Sequence, residues 1–215
     1  MQQLQLTKLH KTFDTLQQQY WEKTLRSVYG AGCISRPKYC FIFMNPTARN
    51  ISCQDTWDGI RAPRIGLKQT RSMFHKLGLI TDELFAKTQL HAQTRTPAFT
   101  NEIYSHLASQ WVYITNLAKC TQSDAKWLHN SFFEAYLPSI HEEIHQLQPE
   151  KIITFGNQVS SILLQKPITV STYDNNAYET YTINNTSHKI YPCRYPVGMW
   201  YRNIHKAIAR IQSIL

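Results

Sequence analysis

The stretch Tyr39-Cys40-Phe41-Ile42-Phe43-Met44-Asn45-Pro46 decides the fold. Its six apolar residues run unbroken from Lys38 to the Asn45-Pro46 step. A run of that length without alternation suits a strand covered on both faces, as in a parallel sheet. Two similar runs follow, at 111–115 before Asn116 and at 151–155 before Gly156. A fourth strand is predicted over 188–194, ahead of Tyr195-Pro196.

The segments between these runs carry helical periodicity. Leu9, Phe13, Leu16 and Tyr20 recur at spacings of 4, 3 and 4, which predicts an amphipathic helix over residues 1–29, stopped by Gly30-Ala31-Gly32. Helices are also predicted over 66–77 and 127–147. The second stacks Phe133, Leu137, Ile140, Ile144 and Leu147 on one face, with Pro138 as a kink point. A short helix carries Val159, Ile162 and Leu163. A β-rich stretch then turns at Asp174-Asn175-Asn176, and a closing helix stacks Ile204, Ile208, Ile211 and Leu215. Strands alternating with helices predict an α/β protein, a three-layer α/β/α sandwich on a four-stranded, mainly parallel sheet. The 215 residues read as one domain, 1–215, with residues 1–30 as its N-terminal helix.

Whole-chain chemistry narrows the function classes. No apolar run approaches the roughly 20 residues of a membrane span. Met1-Gln2-Gln3-Leu4-Gln5 has neither the basic head nor the apolar stretch of a signal peptide. Five cysteines without paired spacing point to a reducing compartment, so a cytoplasmic monomer away from membranes is expected. The 23 Lys and Arg outnumber the 14 Asp and Glu, for a net charge of +9. No acidic residue follows Thr180, while Lys189, Arg194, Arg202, Lys206 and Arg210 do. Such a basic end suits a polyanion such as DNA, and equally a solvated basic helix.

In open α/β sheets the site lies beyond the carboxyl ends of the strands. Three predicted strands end in Asn45-Pro46, Asn116 and Tyr195-Pro196. Their polar side chains could converge on one pocket, although Asn and Pro also simply punctuate strand ends.

The ordered strings around these ends resemble the uracil-DNA glycosylase superfamily over about residues 38 to 205. Phe43-Met44-Asn45-Pro46-Thr47 is similar to the Gly-Met-Asn-Pro-Gly and Gly-Ile-Asn-Pro-Gly first motifs of the single-strand-selective and mismatch-specific branches. Tyr113-Ile114-Thr115-Asn116-Leu117-Ala118-Lys119-Cys120 resembles the Tyr-Ile-Thr-Asn-Val-Val-Lys-Cys string of the iron–sulfur class. The resemblance implies that Asn45 positions the hydrolytic water, that Asn116 reads the pyrimidine edge, and that Met44, Pro46 and Arg64 lie against the base. It also places Tyr195 where a His meets the departing base, with Arg194 beside it as a source of charge. Tyr195 suits donation from its phenol and packing equally well.

The loop Pro196-Val197-Gly198-Met199-Trp200 falls where the family inserts a wedge into the duplex, with Arg202, Lys206 and Arg210 available for phosphates. Met199 and Trp200 suit a helix start in the core as well.

The chain departs from the family pattern at three places: Phe43 and Thr47 replace the flanking glycines, Arg64 replaces the stacking Phe, and Tyr195 replaces the His. Arg64 could lie flat over a base or face a phosphate. Cys120 matches one iron–sulfur ligand, but no Cys-x-x-Cys accompanies it, so a core thiol and no metal, cluster or other cofactor are expected. The expected activity is therefore that of a monofunctional DNA glycosylase acting on uracil or on a modified cytosine or thymine, in repair or phage defence. The alternative is a DNA-binding protein that keeps the fold without catalysis.

Overall fold

The computed structural model describes residues 2–65, 67–90, 95–196 and 204–215. Six strands form one mixed sheet: β1 (Ala31–Gly32), β2 (Tyr39–Phe43), β3 (Val112–Asn116), β4 (Lys151–Phe155), β5 (Glu179–Ile183) and β6 (Thr186–Cys193). Their order is β1-β3-β2-β4-β6-β5. The four central strands are mutually parallel, and the antiparallel edges β1 and β5 extend the expected four strands to six. Both edges are weak sequence signals. β1 has two residues, and β5 alternates exposed with half-buried positions until Ile183.

The chain turns at Asn175-Asn176 as expected, closed by Ala177 N–H donating to the Asp174 carbonyl (3.1 Å), and the hairpin joining β5 to β6 is a second turn at Asn184-Asn185. Both hairpin asparagines have positive φ, 46° and 64°. That is the primed geometry a two-residue hairpin requires, and Asn tolerates it better than other side chains do.

Strand periodicity separates the two cores. Cys40, Ile42, Tyr113, Ile152 and Ile190 face α1 (Gln2–Tyr20), α5 (Asn130–Glu134), α6 (Leu137–Leu147) and α7 (Asn157–Leu164). Tyr39, Phe41, Phe43, Ile114, Phe155 and Cys193 face α2 (Lys68–Lys76), α3 (Asp82–Gln89), α4 (Pro97–Ser109) and α8 (Ile204–Gln212). This is the three-layer sandwich, with alternate residues of each strand buried in opposite cores.

Helix α1 stops at Tyr20 instead of reaching 29. Beyond it the backbone N–H groups take distant partners: Arg26 donates to Cys53 (2.8 Å), Val28 to Lys119 (3.0 Å) and Tyr29 to Arg61 (2.8 Å). The predicted 127–147 helix is two helices, α5 and α6. Pro138 lies in the first turn of α6 and not at a kink, a position where its missing N–H costs no hydrogen bond. Helices α3 and α4 were not anticipated. Each starts at a threonine whose hydroxyl accepts from the backbone three residues on, Thr81 from Leu84 and Thr96 from Phe99.

Gly30-Ala31-Gly32 does not cap a helix. It lays edge strand β1 against β3, so closely that a Cβ on Gly30 would fall on the Tyr113 ring and one on Gly32 would overlap the Val112 carbonyl. Among the described residues no helix is long and apolar enough to cross a membrane.

Candidate active site

The carboxyl ends of β2 and β3 are joined beyond the sheet itself. Phe43 stands opposite Asn116 in the parallel register. Leu117 N–H then donates to the Phe43 carbonyl (2.7 Å) and Ala118 N–H to that of Met44 (3.0 Å). Further out, Gln122 N–H reaches the Pro46 carbonyl (3.3 Å), Ala48 N–H returns to the Gln122 carbonyl (2.7 Å), and Thr47 bridges to Gln122. The Asn45 loop is therefore held by the segment carrying Asn116.

Asn45 donates from Nδ2 to the Pro46 carbonyl (3.1 Å) and to Gln122 Oε1 (2.8 Å). A backbone carbonyl can only accept, which assigns the nitrogen of Asn45 to that side and leaves Oδ1 as an acceptor with no partner among the described residues. Gln122 was not foreseen, and nothing in the strand pattern marks it. Met44 packs against the core of α1 and α6, on the opposite side of the sheet from Phe43. Pro46 is buried at the loop base.

Asn116 is 1% exposed, and its Nδ2 has no hydrogen-bond partner among the described residues. A buried donor left unmade costs free energy, so such a group in a native site marks a place for a ligand or water. Its backbone is held from behind. Lys119, 0% exposed, donates from Nζ to the Asn116 carbonyl, to Thr115 Oγ1 and to Glu143 Oε2, each at 2.6 Å. Glu143, 2% exposed, also accepts from Tyr113 Oη (2.7 Å) and Thr115 Oγ1 (3.2 Å).

Burial lowers the Lys119 pKa, and the facing Glu143 carboxylate pulls it back up. Glu143 carried a sequence signal that was passed over, since an acidic residue three after Ile140 and four before Leu147 falls on the apolar stripe of α6.

Tyr195 follows β6 and lies beside Arg64. The guanidinium Nη2 donates to Tyr195 Oη at 3.0 Å and stacks on the Phe43 ring, 4.1 Å from its centroid. Arg64 has φ 62°, and its loop is tied down where buried Tyr104 donates to the Pro63 carbonyl. The charge beside Tyr195 is thus Arg64 and not the expected Arg194. Arg194 instead lines a cleft of about 580 Å³ with Lys206, Arg210, Tyr173 and Asp174. Val197, Gly198, Met199, Trp200 and Arg202 lie outside the described residues.

All five cysteines are free and buried. Cys120 sits in the core, and burial pushes its thiol up to about 12. Among the described residues no three His, Cys, Asp or Glu side chains gather where a metal could be held, so the thiols do not fit an iron–sulfur set.

Two asparagines and a third polar side chain thus stand at the carboxyl ends of the parallel central strands. The model for the uracil DNA glycosylase superfamily matches residues 62–210, and the chain belongs to that superfamily. Its members are generally DNA glycosylases. The match takes in Arg64, Asn116 and Tyr195. The Asn45 loop precedes it and is joined to it by the β2–β3 pairing. No curated protein matches the chain.

Proposed function

We propose that the protein is a monofunctional DNA glycosylase that flips a pyrimidine nucleotide out of DNA and hydrolyses its N-glycosidic bond. The observation that carries this reading is the pairing of two amides at adjoining strand ends, one whose nitrogen is committed and whose acceptor is unspent (Asn45 Oδ1) and one with a buried, unpartnered donor (Asn116 Nδ2).

The division of labour follows from amide chemistry. Cleavage passes through a cationic sugar while the base leaves as an anion. An amide is no base near neutral pH, but its oxygen can accept from a water and aim it at the anomeric carbon. That suffices where the bond is largely broken before water attacks. Asn116 offers donor and acceptor to the edge of the flipped base. Lys119 is spent in a buried ion pair with Glu143, so it is not the free amine a Schiff base needs, and no strand-cleaving lyase step is expected. The basic C-terminal third, including Arg194 and Lys206 on one cleft, supports a DNA partner.

The base is uracil or a modified or bulky cytosine or thymine, and the setting is repair or defence. Oligonucleotides carrying uracil, thymine mismatches and 5-substituted or glucosylated cytosines test the reading, scored by abasic-site formation. One substrate should be excised by the wild type, with loss of about 10²-fold or more in Asn45→Ala. Asn116→Asp, which exchanges a donor for an acceptor, should alter the preference among bases. Full cleavage by Asn45→Ala would remove Asn45 from the mechanism. DNA binding without excision of any base would favour a binding protein on a glycosylase fold.

A further inference from the structure

Of the four residues at which the chain departs from the motifs it resembles, three are distant in sequence and meet in space, while Thr47 bridges to Gln122. Phe43 ends β2, Arg64 lies in the loop before α2, and Tyr195 follows β6. The Arg64 guanidinium lies 4.1 Å over the Phe43 ring, Tyr195 meets that ring edge-on (centroids 6.4 Å apart, planes at 84°), and Arg64 donates to Tyr195 Oη at 3.0 Å. Phe43 is also the residue opposite Asn116 in the sheet, so this cluster borders the base-reading amide on the same face.

The arrangement leaves two donors unspent, Arg64 Nε and the Tyr195 hydroxyl proton. Among the described residues no carboxylate pairs with Arg64, and its Nε is buried with no partner. The half-buried guanidinium is attracted to the ring faces, but its buried Nε has no acceptor and its charge has no carboxylate partner among the described residues, which leaves it open to an arriving anion. The hydrogen-bond direction at Tyr195 is also informative. A guanidinium can only donate, so the phenol oxygen accepts, and its own proton is left for a further acceptor. No described residue takes it.

We infer that Arg64 and Tyr195 act as one unit that receives the departing base anion, with the Phe43 ring as the platform that orients the guanidinium. This rests on the glycosylase reading and gives the leaving-group role to a pair instead of to a His. Tyr195 is the catalytic residue: its hydroxyl, which keeps its proton, donates a hydrogen bond to the pyrimidine oxygen next to the scissile bond. Arg64 is a positioning residue, polarising that hydroxyl and adding positive potential. In the step itself the C1′–N1 bond breaks with its electron pair on the base. The water aimed by Asn45 forms the C1′–O bond, and its surplus proton ends on the departing base or in solvent. Nothing is oxidised or reduced.

The experiment measures single-turnover excision of the preferred base and of its 5-fluoro analogue, whose anion leaves more easily. The proteins are the wild type, Tyr195→Phe, Arg64→Met, Arg64→Lys and the Tyr195→Phe/Arg64→Met double variant. Tyr195→Phe keeps the ring that packs on Phe43 and so isolates the hydroxyl. It should slow excision about 10²-fold, in the range for loss of one anion-stabilising donor. Arg64→Met should lose about 10-fold alone and almost nothing further in the Tyr195→Phe background, as groups acting as a unit do. Arg64→Lys, with charge but no planar fork, should recover part of that loss. Both losses should shrink with the fluorinated base.

Losses that multiply in the double variant, or that are equal for the two bases, overturn the inference while leaving the glycosylase reading intact. A wild type that excises nothing overturns both.

Discussion

Replacing Lys119 by Met tests the buried ion pair behind Asn116. The Lys119 and Glu143 side chains are 0% and 2% exposed and meet at 2.6 Å. In Lys119→Met the stem survives, but Glu143 keeps only Tyr113 and Thr115 as donors, and the Asn116 carbonyl loses its partner. Removing one member of a buried pair strands the other, at a cost of about 3–5 kcal/mol. For a chain of this size each kcal/mol corresponds to about 2–4 °C, so the melting temperature should fall by roughly 6–20 °C.

Glu143→Gln added to Lys119→Met should restore more than half of the loss. The amide still accepts from Tyr113 and leaves no stranded charge. Urea denaturation and thermal melting of the four proteins give the coupling by a double-mutant cycle. A shift of under about 2 °C for Lys119→Met, or a second substitution that deepens the loss, would refute the reasoning.

Two further outcomes are expected. Gly30→Ala places a methyl on the ring of Tyr113, whose hydroxyl is committed to Glu143. Overpacking of this kind should cost about 1–3 kcal/mol, read as a lower melting temperature that Tyr113→Leu partly relieves. Burial holds the pKa of His10, His141 and His188 below the ordinary 6.5. Below pH 6.5 the unfolded chain binds protons that the folded chain refuses, so stability is full above that value and is lost as pH falls through the folded values. The urea midpoint should therefore decline from about pH 7 to about pH 5.5, and less so in His188→Gln; a flat profile would contradict the assignment.

How much of this was legible in the residues depended on the range of the interaction concerned. The central strands could be read because a strand buried on both faces needs an uninterrupted apolar run, and 39–44, 111–115 and 151–155 supply it. The strand ends could be read too, since open sheets gather their sites there, and the ordered strings around Asn45 and Asn116 pointed to the superfamily. Helices α3 and α4 carry local start signals, Thr81 and Thr96-Pro97, with only short apolar stripes behind them. The edge strands were not legible, because two residues of β1 and a half-exposed β5 carry almost no periodic signal.

The chain by itself determined the fold class and the two asparagines at the strand ends, because burial pattern and local motif are written in neighbouring residues. What surrounds them was decided only by tertiary structure. Gln122 on Asn45, Lys119 and Glu143 behind Asn116, and Arg64 spanning Phe43 and Tyr195 are contacts between segments up to 131 residues apart. Charge makes the same point. The sequence put Arg194 next to Tyr195, yet the folded chain brings Arg64 to the phenol, because hydrogen bonds depend on distance in space and not along the chain.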